Sequence, residues 1–484
     1  MNTPLRRLAT VVVVMFVALM GATTWVQFVQ APSLNADQRN VRTLYREYGN
    51  ARGPIVVGEQ AIATSTKVDD PFGYQRQYLP ETAPIYAPVT GYYSVVYQRS
   101  GIEEWMNTEL NGSADSLFYA RLEDLVTGKQ PQGASVQLTI DPAVQQAAWD
   151  ALGDQRGAVV ALDPTTGAIL AMVSKPSYDP NVLAGHDFAA VTEAWTALQA
   201  DPNKPMDNRA IAGNTYPPGS TFKLITAAAA LENGYAADTA VTAPRELQLP
   251  QSSSVLHNFG GSACSGTGAM TLADALRISC NTAFAQIGLD LGADALREQA
   301  QAFGFDTPLN VPMKVTESHF PDDPDAPQTA LSAIGQYEVR VTPLQMAMVS
   351  ATIANGGVPM QPYLVQTVRS QDLTVVDEAE PTELDRAVSG ATAAALRDMM
   401  IGVVNDGTGR SAQIPGIQVA GKTGTAQTSE EAAPHAWFTA FAPADAPRVA
   451  VAVIVENGGS MGNEATGGAV AAPIARAVIQ AALQ

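Results

Sequence analysis

Three short segments hold residue types that could do chemistry together. Ser220-Thr-Phe-Lys223 follows Pro217-Pro-Gly219 and opens the helical run Leu224 to Leu231. A serine and a lysine three apart on a helix share one face. A serine hydroxyl is a weak nucleophile and needs a base within hydrogen-bond reach. A lysine serves as that base when burial or a nearby cation lowers its pKa. Ser279-Cys-Asn281 adds a second hydroxyl and an amide, and Lys422-Thr-Gly-Thr425 adds a second cation and two more hydroxyls. Each segment alone is commonplace: Ser-x-x-Lys is usually a solvated helix face, Ser-x-Asn recurs by chance, and Lys-Thr-Gly reads as an ordinary turn ahead of a strand. Together, in this order and spaced by 59 and 143 residues, they point to acyl transfer through a serine ester.

The elements that position these residues are legible in outline. Asp141-Pro142 reads as a helix start, with Asp as N-cap and Pro at the first helical position. Gly157 to Leu162 and Ala168 to Val173 are two apolar runs joined by Asp163-Pro-Thr-Thr-Gly167, a hairpin. Ala436 to Phe441 and Val449 to Glu456 read as two further strands, and Ala471 to Leu483 as a closing helix. Hairpins at both ends with helices between them imply an α+β arrangement, a central antiparallel sheet flanked by helices. Residues 31–134 are mixed in character and are expected to form a small non-catalytic pedestal. There Pro71 to Tyr74 and Ala87 to Tyr93 read as turns between short strands, and Gly101 to Leu110 as a short amphipathic helix. Gln137 to Ile140 reads as a strand opening the main domain, residues 135–484.

At 484 residues, 46% hydrophobic and 15% charged, the chain can build a large core and is not a disordered protein. Its 28 basic against 47 acidic residues, net charge −19, argue against a nucleic-acid partner. The four histidines are scattered and the two cysteines form no zinc-spaced cluster, so no metal or other cofactor is expected. His435 reads as a structural histidine at a strand start. Leu8 to Phe28 is almost wholly apolar, long enough to span about 30 Å of hydrocarbon. Arg6 and Arg7 place its start in the cytoplasm by the positive-inside rule. Residues 1–30 therefore read as a single-pass membrane anchor with the rest outside. A cleaved signal peptide is the alternative, though such cores usually run about 7–15 residues.

The resemblance extends well past the trio. Leu138 to Gln145, Gly157 to Tyr178, Asn208-Arg-Ala210 leading to Tyr216-Pro-Pro-Gly-Ser-Thr-Phe-Lys223, Ile334-Gly-Gln336, Val341-Thr-Pro-Leu-Gln345, Ala354-Asn-Gly-Gly357, Gly407-Thr-Gly409 and Ala420 to Gln427 resemble the class B penicillin-binding proteins, and within them the actinobacterial A type. Arg52-Gly-Pro-Ile55 resembles that family's pedestal motif, although Val56-Val-Gly-Glu59 follows it in place of the usual Asp-Arg-Asn-Gly. Tyr337 stands where a glycine is common.

The resemblance implies the penicillin-binding, β-lactamase-like transpeptidase fold and a peptidoglycan D,D-transpeptidase of cell-wall growth and division. Its substrate would be the D-Ala–D-Ala stem peptide and its inhibitors β-lactams; a glycosyltransferase and division proteins would be its partners. Ser220 would be the nucleophile, Lys223 its base, Ser279 the proton relay and Lys422 the tuning charge. Asn281 would hold the acyl side chain, Thr423 and Thr425 the terminal carboxylate, and the backbone N–H groups of Ser220 and Thr425 the oxyanion. Gly424 would let the strand lie close to the substrate. Cys264 and Cys280 are expected to pair, since an extracytoplasmic site permits disulfides; two buried thiols are the alternative. A D,D-carboxypeptidase, a β-lactamase and a non-catalytic scaffold are the rival functions.

Overall fold

The computed structural model describes residues 2–30, 48–117, 132–213, 215–427 and 432–484. Two stretches of the expected pedestal, 31–47 and 118–131, lie outside the described residues. Asn2–Thr24 is an α-helix extended by a wider turn over Trp25–Val29. The apolar helical segment Thr3–Val29 is long enough to cross a membrane.

The larger, C-terminal part of the chain is organised by a five-stranded, wholly antiparallel sheet. Its order is Ala420–Ala426, His435–Ala442, Val449–Val455, Gly157–Leu162 and Ile169–Lys175. Successive side chains of a strand point to opposite faces, and here both faces are covered. Ala158, Val160, Leu162, Ala452 and Ile454 enter one core with Leu344 and Met346 of the Pro343–Ala354 helix. Val159, Ala161, Val451 and Val453 enter a second with Val144 and Ala148 of Pro142–Leu152 and Ile474 and Val478 of Ala472–Ala482. That is why these strands read as unbroken apolar runs. Asp141 caps its helix as expected, its carboxylate accepting from the Ala143 and Val144 amides.

A six-stranded sheet runs in the order Val375–Glu378, Val365–Arg369, Ser135–Leu138, Ile55–Val57, Gln60–Lys67 and Tyr74–Tyr78. Ile55–Val57 and Ser135–Leu138 are parallel, the other pairs antiparallel. The strand expected at 137–140 thus begins two residues earlier and joins this sheet, not the five-stranded one. Behind it, Glu103 is fully buried between two arginines: Arg52 Nε at 2.5 Å and Arg76 Nε at 2.6 Å. Asn107 accepts from Arg52 at 2.7 Å, and the Arg52 guanidinium lies 4.3 Å from the Tyr93 ring centroid.

Two expectations for this region fail for tertiary reasons. Ala87 to Tyr93 is not a turn: Ala83–Thr90 is a helix with Pro88 inside it. Proline removes the donor to the carbonyl four residues back. Here the Pro84 carbonyl instead accepts from the Ser177 hydroxyl at 2.7 Å, and the Pro88 carbonyl accepts from Asn208 Nδ2 at 2.8 Å. Gly91 then stops the helix at φ +67°, where a Cβ would lie 2.0 Å from the Ser100 carbonyl oxygen. Gly101 to Leu110 is two short helices, Gly101–Trp105 and Asn107–Leu110, broken at Met106.

Candidate active site

Ser220 lies in the tight turn Gly219–Thr221, and Lys223 is the first residue of the helix Lys223–Glu232. The turn is seated by two glycines. The Gly219 amide donates to the Gly335 carbonyl at 2.9 Å, and a Cβ on Gly335 would fall 2.1 Å from the Gly219 oxygen. Ser279 joins the helices Leu272–Arg277 and Asn281–Leu291 with φ +62°, a left-handed conformation uncommon for serine. The N-cap of the second helix, Cys280, makes no side-chain cap because its sulfur is bonded to Cys264. Asn258 takes over: its Oδ1 accepts from the Asn281 amide at 3.0 Å and the Thr282 amide at 3.1 Å. The disulfide closes 16 residues, worth about 3 kcal/mol in the chain-entropy account.

These elements bring the trio together. Lys223 Nζ donates to Asn281 Oδ1 at 2.7 Å, to the Ser279 carbonyl at 2.8 Å and to Ser279 Oγ at 3.3 Å. Lys422 Nζ donates to Ser279 Oγ at 2.9 Å and to the Thr423 carbonyl at 2.8 Å. A hydroxyl has two lone pairs and one proton. With Lys422 donating to it and Lys223 Nζ beside it, Ser279 Oγ can exchange a proton with Lys223. Both lysines are fully buried. Burial, and then the nearby Lys422 charge, hold Lys223 well below its ordinary value; burial alone lowers Lys422 to about 7. Ser220 Oγ makes no hydrogen bond among the described residues.

Lys422-Thr-Gly-Thr425 is not a turn before a strand; it lies inside the edge strand Ala420–Ala426. Gly424 is required on the protein side: a Cβ there would lie 2.9 Å from Trp437 Cβ, 3.0 Å from the Pro218 oxygen and 3.0 Å from Thr221 Cγ2. The glycine lets the strand press against the turn carrying Ser220. Thr423 Oγ1 hydrogen-bonds Thr408 Oγ1 at 2.6 Å. Ser220, Ser279, Asn281, Thr408, Thr423 and Thr425 line one cleft of about 970 Å³. His435 is buried, edge-on to the Tyr216 ring, and accepts from the Asn457 amide at 3.0 Å.

Sequence reasoning assigned no role to Asn258, Phe259, Thr408 or Tyr337, all on the cleft wall. Thr408 sits in Gly407-Thr-Gly409, where a Cβ on Gly407 would meet the Arg277 carbonyl at 2.3 Å; that glycine pair was the available signal. Nothing local marks Asn258, whose partner helix lies more than twenty residues on.

Residues 157–480 match the penicillin binding protein transpeptidase domain, and residues 52–136 the penicillin binding protein A dimerisation domain. The chain belongs to the penicillin-binding protein transpeptidase family. It is 49% identical to the peptidoglycan D,D-transpeptidase PbpA of Mycolicibacterium smegmatis over 100% of this chain and 99% of that one. Penicillin-binding protein A of M. tuberculosis, as its ceftriaxone acyl-enzyme, matches with a TM-score of 0.88 at 47% identity, covering 91% of this chain and 100% of that one. The penicillin G acyl-enzyme of the same protein matches with a TM-score of 0.85, also at 47% identity, over 90% of this chain and 100% of that one. The M. tuberculosis protein therefore matches this chain over both the transpeptidase domain and the smaller module before it.

Proposed function

We propose that this penicillin-binding protein is a serine D,D-transpeptidase that cross-links peptidoglycan through an acyl-enzyme on Ser220. The observation that carries it is a lysine, Lys223, buried and depressed in pKa beside a second buried lysine, both tied to Ser279 at a cleft shared with Ser220. Neutral Lys223 takes the Ser220 proton as Oγ attacks the D-Ala–D-Ala carbonyl. The carbon–nitrogen bond breaks, and the proton taken by Lys223 is relayed through Ser279 to the leaving amine. The amine of a second stem peptide then attacks the ester, and Ser220 regains its proton.

Asn281 holds both Lys223 and the donor's acyl side chain. Lys422, Thr423 and Thr425 receive the terminal carboxylate, while Gly424 keeps their strand seated. The backbone N–H groups of Ser220 and Thr425 stabilise the oxyanion, a contribution of about 10²–10³ in rate per donor in other enzymes. An edge strand supports this reading, since among the described residues its outer side has no strand neighbour and can pair with an extended peptide.

Residues 1–30 serve as the membrane anchor, 31–134 as the pedestal and 135–484 as the catalytic domain outside the membrane. A glycosyltransferase and division proteins are the expected partners.

Labelling of the ectodomain with a fluorescent penicillin, wild type beside Ser220→Ala, tests the reading. A lasting adduct on the wild type alone is expected. Rapid loss of label would indicate a β-lactamase, and no label on folded protein would leave only a scaffold.

A further inference from the structure

The segment that leads into the nucleophile turn is short of its own means of attachment. Pro217 and Pro218 have no N–H, so neither can donate a backbone hydrogen bond. Side chains from distant strands hold it instead. Trp437 Nε1 donates to the Pro217 carbonyl at 3.1 Å. Just ahead of the prolines, Tyr216 exchanges both backbone hydrogen bonds with Val341, at 2.9 Å each. Its phenol donates to Glu456 Oε1 at 2.7 Å, across 240 positions of sequence. The Tyr216 ring stands edge-on to Trp437 with centroids 6.1 Å apart, so the two anchors brace each other.

Glu456 is buried and directly follows the strand Val449–Val455. A buried carboxylate needs paired charge. Arg209 Nε donates to the same Oε1 at 2.9 Å, and the Arg156 guanidinium pairs with the other oxygen. Arg209 is itself fixed: its Nη1 donates to the Lys204 carbonyl at 3.1 Å and its amide to Ser174 Oγ at 3.0 Å. The strand does not need this ion group for its register, because Ile454 and Val455 pair with Ala158 and Gly157 through the backbone. The phenol carries the anchored charge to the segment that bears Ser220, and a hydrogen bond to an ionised acceptor is roughly twice as strong as a neutral one. Burial, and then the Glu456 charge, hold the Tyr216 phenol far above its ordinary pKa, so it stays a donor.

We infer that Glu456 is a positioning residue for acyl transfer. Through the Tyr216 phenol it fixes the Pro217-Pro-Gly219 lead-in, and with it the place of Ser220 Oγ relative to Lys223 and the incoming carbonyl. It touches no reacting atom. The inference rests on the acyl-transfer reading above and adds to it the group that holds the nucleophile still.

The test is acylation of the full chain in detergent by penicillin G, followed over a range of concentrations so that the non-covalent dissociation constant and the first-order acylation rate separate. Tyr216→Phe removes the phenol hydroxyl alone, and Glu456→Gln keeps an acceptor without the charge. Both replacements are close in shape to the originals, and a melting curve confirms that each variant is folded. Misplacing reacting groups by about 1 Å can cost up to about 10² in rate. Tyr216→Phe is expected to lower the first-order rate about tenfold and Glu456→Gln about threefold, with the dissociation constant within about twofold of wild type in both. The double variant should be no slower than Tyr216→Phe, because both changes break the same link. A merely structural ion group would instead lower the melting temperature and leave the first-order rate alone. A wild-type rate in Tyr216→Phe, a loss confined to the dissociation constant, or a double variant slowed by the product of the two single effects overturns the assignment. If penicillin G leaves wild-type Ser220 unacylated, the acyl-transfer reading falls and takes this inference with it, a result recognisable without either variant.

Discussion

Replacing Gly424 by alanine tests whether the edge strand and the nucleophile turn form one rigid unit. The added methyl would face Trp437 Cβ at 2.9 Å and the Pro218 oxygen and Thr221 Cγ2 at 3.0 Å each, against about 3.5–4.0 Å for comfortable carbon contact. None of the three is the far end of a flexible side chain: one is a carbonyl of the turn preceding Ser220, and one is a Cβ in the paired strand. Relief requires the strand to retreat from the turn by roughly 0.5–1 Å. Overpacking of this kind costs about 1–3 kcal/mol. Displacing reacting groups by about 1 Å can cost up to about 10² in rate. The expected result for Gly424→Ala is a fall of about tenfold or more in the second-order rate of penicillin acylation, with a lower melting temperature. Gly390→Ala is the control, because nothing lies within 4 Å of its added methyl at the start of the helix Gly390–Asn405. It should be neutral or slightly stabilising. Acylation of Gly424→Ala within about twofold of wild type, with unchanged melting, would refute the claim that this glycine seats the strand on the Ser220 turn.

Two further outcomes follow from buried charge. Burial lowers Lys422 to about 7 from an ordinary 10.5, so across that window the unfolded chain holds a proton that the folded one sheds, and folded stability rises with pH. Urea denaturation from pH 7 to pH 10 should show wild type gaining stability relative to Lys422→Met; a pH-independent difference would contradict the burial argument. In the smaller module, Glu103→Ala strands Arg52 and Arg76 without their shared carboxylate. Removing one member of a buried ion cluster costs about 3–5 kcal/mol, so the denaturation midpoint should drop accordingly, and an unchanged midpoint would show that the cluster contributes nothing net.

The sequence by itself determined the chemistry and much of the framework. Ser220, Lys223, Ser279, Asn281 and Lys422 were legible as candidates because their motifs are short and local. The strands at 157–162 and 449–455 and the Asp141-capped helix were identifiable because apolar runs and capping residues are local signals too. The Cys264–Cys280 pairing likewise needed only two cysteines and a compartment.

Tertiary structure decided what depends on distant neighbours. Ala83–Thr90 is helical despite Pro88 because Ser177 and Asn208 satisfy carbonyls about a hundred residues away. Lys422-Thr-Gly-Thr425 became an edge strand because His435–Ala442 pairs with it residue for residue. Gly424 is required on the protein side by Trp437, Pro218 and Thr221. The depressed pKa of Lys223 has the same origin. A lysine three residues after a serine is ordinary until the fold buries it beside a second lysine, since desolvation belongs to the fold around a side chain and not to the residues next to it in the chain.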